Sequence, residues 1–349
     1  MSYSPARRLS VLDVAPVWSD TDGAQALHNA VDLAQQVERL GYHRYWVAEH
    51  HNTPSLATSA PAVLAGRLAA ATTTLRVGSG GVLLPNHAPL VVAEQFATLE
   101  ALHPGRIDLG IGRASGSDPN TVRALGRSAA LDPADFPRQL QELRGYLETD
   151  AGSASPRTIA ALPAPPGRPW LCMLGSSLSS ARLAGQLGLP YAFAHHLVPQ
   201  LTAAAVDAYR AAFRPSGVVD APYAIVAAMA IAGETDQHAE ELTLPYLLRK
   251  IRIQSGDIYG PYPTATEAKG HEFSAAERDY AVEHCGPQLF GGPAVLREKL
   301  AHLVAATDTD ELMAITLVHE HAERVRSYER LAAAAAEVFT TAPGTGDPT

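Results

Sequence analysis

The sequence predicts an α/β protein folded as a closed (β/α)8 (TIM) barrel, and three observations carry that prediction. Eight short β-type runs recur along the chain, an Ala- and Leu-rich helical pattern follows each, and the runs are near-continuously apolar. Strands of that composition are buried on both faces, as in a parallel sheet covered by helices. The count of eight favours closure over an open, doubly wound sheet.

In chain order the expected strands are residues 9–14, 45–49, 75–83, 107–111, 170–174, 191–194, 223–231 and 312–318. The helical patterns cover 24–40, 61–71, 89–102, 134–148, 177–187, 199–213, 235–253 and 321–338. Asp22 stands before the first helix and Gly41 after it, while Pro61 and Pro89 fall in first turns. A barrel of this kind uses about 250 residues, so a chain of 349 has room for insertions. One, residues 114–168, follows strand four and ends in "ALPAPPGRPW"; the other, 254–292, lies between strands seven and eight. Long segments of this sort in a compact domain serve as lids or substrate walls. Residues 1–340 are expected to form a single domain and 341–349 a flexible tail.

Composition narrows the function classes. Hydrophobic residues make up 46% and charged residues 18%, which fits a folded globular chain. A net charge of -9 and a pI near 5.8 argue against nucleic acid or an anionic membrane as partner, because both require a basic face. A small molecule is the expected partner. Cys172 and Cys285 give neither a disulfide framework nor zinc spacing. The stretch before Asp13 reads as neither a secretory signal nor a membrane span, so the expected location is the cytoplasm.

In this architecture chemistry collects at the C-terminal ends of the strands. The polar residues there are Asp13, Glu49-His50-His51, the "GSGGVLLPNH" stretch, Arg113, "GSSLSSA", His195-His196 and His319. Adjacent residues on an extended chain point to opposite faces, so only one of His50 and His51 faces a site. In the strand-five stretch Gly175 permits positive φ, and Ser176, Ser177 and Ser180 bring hydroxyls and backbone N–H groups to a helix N-terminus, an anion site by charge and dipole. A plain N-cap is the alternative. Arg113, on the neighbouring strand's loop, can grip the same phosphate. The "GIGRASG" glycines are spaced one residue too widely for a dinucleotide fingerprint, and the "EHH" pair matches no metal-ligand spacing, so no metal is expected.

The segments "GYHRYWVAEHHNTPS", "LRVGSGGVLLPNHAPLVVAEQFATLEALHPGRIDLGIGRASGSD" and "LGSSLSSARLAGQLGLPYAF" together resemble the bacterial luciferase-like flavin monooxygenases, in the single-chain branch. The resemblance implies reduced FMN as cofactor, supplied by a separate flavin reductase. It implies O2 as co-substrate, oxygenation through a C4a-peroxyflavin, and a homodimer paired through its early helices. It makes His50 the catalytic histidine and assigns the flavin phosphate to Arg113 and the serines from Ser176 to Ser180, with Gly175 at the head of that loop. It places a non-prolyl cis peptide at Gly80–Gly81, under the flavin ring. Luciferases proper carry a glutamate where this chain has Gly175, which counts against light emission. The expected substrate is an apolar small molecule, polycyclic or aldehyde-like, of the kind met as a secondary-metabolite intermediate. The same barrel also serves coenzyme F420-dependent dehydrogenases and non-catalytic flavin-binding proteins, which are the alternatives.

Overall fold

The computed structural model describes residues 7–113, 118–126, 135–148, 159–165 and 167–341. Its strands are β1 (Arg8–Asp13), β2 (Arg44–Val47), β3 (Arg76–Leu83), β4 (Ile107–Gly112), β5 (Trp170–Gly175), β6 (Tyr191–Ala194), β7 (Ala224–Ala232), β8 (Leu289–Gly291) and β9 (Glu311–Ile315). Its helices are α1 (Gly23–Arg39), α2 (Pro61–Ala71), α3 (Pro89–Leu102), α4 (Pro119–Ala124), α5 (Phe136–Glu148), α6 (Leu178–Gln186), α7 (Thr202–Ala212), α8 (Asp236–Gln254), α9 (Ala265–Lys269), α10 (Ala275–Cys285), α11 (Pro293–Thr307) and α12 (His321–Thr341).

Strands β1 to β7 run parallel in sequence order, β9 follows β7, and β9 pairs back onto β1, which closes an eight-stranded barrel. Period-two alternation sorts each strand's side chains. Val11, Tyr45 and Val47 pack outward against the helices, whereas Leu12, Trp46, Cys172, Ile225 and Met313 fill the interior. Both faces are therefore apolar, and every residue of β7, "AIVAAMAIA", is buried. The helices present apolar stripes to the barrel; on α1 the stripe is Ala26, Ala30, Leu33, Ala34 and Val37. Asp22 caps α1 by accepting from the Gln25 N–H, and Pro61 and Pro89 open α2 and α3. Among the described residues no helix is long and apolar enough to cross a membrane.

One assignment made from sequence is corrected. The helical pattern over 235–253 is α8, but α8 is not the seventh helix of the outer layer. That place belongs to α11, which packs between α7 and α12. The short β8, added to the outside of β7, leads directly into α11. Helix α8 instead packs on α9 and the β7–β8 ends, so the insertion between the seventh and eighth barrel strands begins right after β7 and holds α8, α9 and α10. The tail expected over 341–349 lies, but for Thr341, outside the described residues, as does part of the 114–168 insertion.

The N-terminal end of the barrel is plugged by charge. Arg44, fully buried on β2, bridges Asp108 and Glu311 at 2.7 Å each. Asp108 also accepts from Arg76 and, at 2.9 Å, from the Trp46 indole, and Glu311 accepts from the Tyr223 hydroxyl at 2.6 Å. The guanidinium lies over the Trp170 ring, 4.3 Å from its centroid. A second buried pair, Asp13 with Arg324 at 2.6 Å, ties β1 to α12.

Candidate active site

At the other end of the barrel a cavity of about 500 Å³ opens over the strand termini, within the range of small-molecule sites. His50, Gly80, Gly81, Arg113, Gly175, Ser176, Ser177 and Ser180 all border it. Its walls are largely aliphatic, with Leu12, Val14, Leu174, Met229, Ile315 and Leu317 among them.

Strand β2 stops at Val47, so the Glu49-His50-His51 stretch is loop rather than strand. The opposed orientation nevertheless holds. His50 borders the cavity with a buried Nδ1 that has no hydrogen-bond partner among the described residues, while His51 turns away and donates through Nε2 to Glu49 Oε1 at 2.7 Å. The same carboxylate oxygen accepts from His87 Nε2 at 2.7 Å, and the other oxygen accepts from the Leu83 N–H at 3.0 Å. Burial pushes the Glu49 carboxyl up, but His87, the Leu83 N–H and His51 outweigh it and hold it below the usual carboxylate range. Glu49, His51 and His87 thus form a group with metal-ligand chemistry whose ligand atoms lie within 4.8 Å of one another. Their 2.7 Å spacings are those of charge-assisted hydrogen bonds, so here they clamp the end of β3 to the β2 loop. His87 closes the "GSGGVLLPNH" stretch but had no role in the sequence, because only the fold brings it to Glu49. Burial also lowers the His50 pKa, partly offset by the Glu49 charge, so its imidazole is neutral at pH 7 and free to accept a proton.

The Gly80–Gly81 peptide is cis, as the resemblance implied, at a shift in the β3–β4 register between Ser79 and Val82. Bare backbone is required there. A Cβ on Gly80 would stand 2.7 Å from Leu12 Cδ1, and one on Gly81 2.6 Å from the Gly110 carbonyl oxygen.

Of the two roles considered for the serine loop, the structure shows the N-cap. Ser177 is the N-cap of α6 and forms a reciprocal capping box with Ser180, whose hydroxyl is 2.9 Å from the Tyr191 hydroxyl. Ser176 and Ser177 are half-buried on the cavity wall. Gly175 does not use positive φ; its lack of a side chain makes room for Ser180, whose Oγ would be 2.1 Å from an added Cβ. Arg113 is exposed, acts electrostatically on Tyr191, and has no hydrogen-bond or ion-pair partner among the described residues. A helix N-terminus beside an unpaired guanidinium is a donor set suited to a phosphate.

Other polar residues at the strand ends divide by the same alternation. Asp13 is taken up by Arg324, Tyr45 and the Ala15 N–H, His195 by Thr202 and the Pro287 carbonyl, and His319 by Asp20. His196 faces the cavity. Its Nδ1 lies 2.9 Å from the Ala227 carbonyl, which can only accept, so the hydrogen sits on Nδ1 and Nε2 is left as an acceptor. Sequence reading placed His196 at the right face without giving it a role, and it missed Tyr246, Lys250 and Tyr262, which reach the cavity from the insertion.

Burial, with the charges of His195, Lys250 and His50, lowers the His196 pKa to about 4. A histidine depressed in the folded state takes up its proton first in the unfolded chain. Stability is therefore full above about 6.5 and is lost as pH falls through the interval down to about 4. Chemical unfolding at pH 7 and at pH 4.5 should show His196→Gln losing on the order of 2 kcal/mol less than the wild type. Equal losses would mean that His196 does not titrate as its surroundings dictate.

A family model described as luciferase-like monooxygenase matches residues 8–338. The chain belongs to that family. It is 41% identical over 320 residues to the luciferase-like monooxygenase of Escherichia coli (strain K12), covering 92% of this chain and 94% of that one. The crystal structure of apo-MsnO8 superposes with a TM-score of 0.85 at 38% identity, covering 95% of this chain and 99% of the other. More distant likenesses concern the fold alone. The oxygenating constituent of 3,6-diketocamphane monooxygenase from Pseudomonas putida, solved with FMN, gives a TM-score of 0.70 at 18% identity over 98% and 100% of the two chains. An F420-dependent secondary alcohol dehydrogenase gives 0.64 at 15% over 95% and 99%. The luciferase-like barrel thus carries an oxygenating enzyme, on a scaffold whose members hold FMN or F420.

Proposed function

We propose that this chain is an FMN-dependent monooxygenase that oxygenates an apolar small molecule, with reduced flavin delivered by a separate reductase. The observation that carries the reading is the convergence of three unlike features on one cavity: a guanidinium, unpaired among the described residues, beside a helix N-terminus, a floor of bare glycine backbone, and an apolar wall that includes the His50 imidazole. Arg113 and the Ser176-Ser177 backbone would hold the phosphate, and Gly80-Gly81 would support the ring. When bound, reduced FMN supplies the electrons that activate O2. The chain's own part is to bind and orient it, to exclude water with the aliphatic walls, and to move a proton at the His50 imidazole, which borders the cavity.

Turnover assays with reduced FMN and O2, and in parallel with reduced F420 under nitrogen, test the cofactor. Oxygen-dependent product supports the proposal, and F420-dependent hydride transfer without oxygen would replace it. Arg113→Ala is expected to weaken FMN binding by about 2 kcal/mol, as for loss of a charge-assisted hydrogen bond. Riboflavin, lacking the phosphate, should bind both proteins alike. Equal losses for the two ligands would make Arg113 structural. The reading includes a homodimer, supported by Val63 on α2 and by Val91 and Leu102 on α3, which are 75%, 47% and 67% exposed. Sedimentation of a monomer at micromolar concentration would remove that part.

A further inference from the structure

The cavity has a second cationic position, far around the rim from Arg113. Arg113 follows β4 and the serines follow β5, whereas Lys250 enters from α8, the helix after β7. Lys250 acts electrostatically on His196, at the end of β6, and on Cys285 of α10, so its ammonium group belongs to the β6–β7 side. Among the described residues it has no ion-pair or hydrogen-bond partner. Among the described residues the one carboxylate on the cavity wall, Glu49, is already held by two imidazoles and a backbone N–H.

The cavity that Lys250 lines is largely apolar. Leu197 and Ile253, both on the cavity wall, are 64% and 40% exposed, and Tyr246, Met229 and Leu317 continue the surface inward. Tyr246 and Tyr262 bring hydroxyls to the same wall, and neither hydroxyl has a hydrogen-bond partner among the described residues. An unpaired ammonium with two free hydroxyls at the mouth of an oily slot is a recognition set for one anionic, oxygen-rich group on an otherwise apolar molecule.

Building on the monooxygenase reading, we propose that the substrate carries a carboxylate, that Lys250 on α8 binds it at the β6–β7 side of the cavity, and that the apolar body of the substrate points inward toward His50. The segment after β7, of which only residues 254–292 were expected from sequence to form a wall, then selects substrates by charge as well as by shape. Lys250 is a specificity residue and takes no part in holding the flavin phosphate.

The test is calorimetric titration of 6-phenylhexanoate and of 6-phenylhexanamide into the FMN-loaded protein, repeated with Lys250→Met and Lys250→Arg. FMN affinity is measured for each variant. The carboxylate should bind the wild type at least tenfold more tightly than the amide. Lys250→Met should erase that preference by weakening the carboxylate alone, and Lys250→Arg should keep most of it, with FMN affinity the same in all three. The proposal is overturned if the wild type does not prefer the carboxylate, if neither probe binds, if the preference survives in Lys250→Met, or if FMN affinity falls in that variant. Failure of FMN itself to bind the wild type would overturn the cofactor reading; the probe titrations, run without flavin, would still decide whether Lys250 selects a carboxylate.

Discussion

Replacing His50 by alanine or glutamine is expected to lower product formation by about 10²- to 10⁴-fold, or about 3 to 5 kcal/mol, with FMN affinity unchanged. His50 borders the cavity, its Nδ1 is buried without a hydrogen-bond partner among the described residues, and burial lowers its pKa and so favours the neutral ring. A neutral imidazole with a free nitrogen can take a proton from substrate and return it. Binding depends on Arg113, the serine loop and the glycine floor, so flavin affinity should be indifferent to the change. Oxygen consumption should continue, with hydrogen peroxide replacing product. His51→Ala is the control. It loses one of three bonds to Glu49, leaving His87 and the Leu83 N–H, and should retain most of the activity. The ratio of oxygenated product to hydrogen peroxide is the measurement, and similar ratios in the two variants would assign the pair a purely structural role.

The second large effect concerns stability at the opposite end of the barrel. Arg44→Met should destabilise the fold by about 3 to 5 kcal/mol, because it leaves two buried carboxylates, Asp108 and Glu311, short of their shared counter-ion. Asp108 keeps Arg76 and the Trp46 indole, but among the described residues Glu311 keeps only the neutral Tyr223 hydroxyl. Lysine is no remedy. Its single ammonium lacks the fork that reaches both carboxylates at 2.7 Å and cannot stack in the same way on Trp170. Urea unfolding of Arg44→Met beside Arg138→Ala, an exposed ion-pair variant expected to cost under about 0.5 kcal/mol, gives the comparison. A loss below about 1 kcal/mol for Arg44→Met would show that the barrel floor tolerates its charges without the bridge.

The β-strands that line the barrel were legible because burial on both faces leaves little choice of residue type, and the starts of α1, α2, α3 and α6 because Asp and Ser cap through bonds only a few residues long and Pro is preset for a first turn. The cavity residues His50, Arg113 and Ser176 to Ser180 were legible for a related reason: polar groups at the ends of apolar strands stand out in one dimension, and strand order alone gathers them on one face. Alternation limited the adjacent pair His50-His51 to one cavity-facing member, and the family resemblance named His50; the roles of His195 and His196 were left open.

Tertiary structure decided whatever depends on groups distant in the chain. Nothing local marks His87 as the partner of Glu49, or joins Arg44 to Asp108 and Glu311, since each pairing is made by the closure of the barrel. The apolar periodicity of α8 is that of any outer-layer helix, so its sequence could not say that α11 would occupy the layer while α8 turned Tyr246 and Lys250 over the cavity. A hydrophobic stripe records that a helix face is buried but not against what, and the chain's closure into a barrel supplies that second fact.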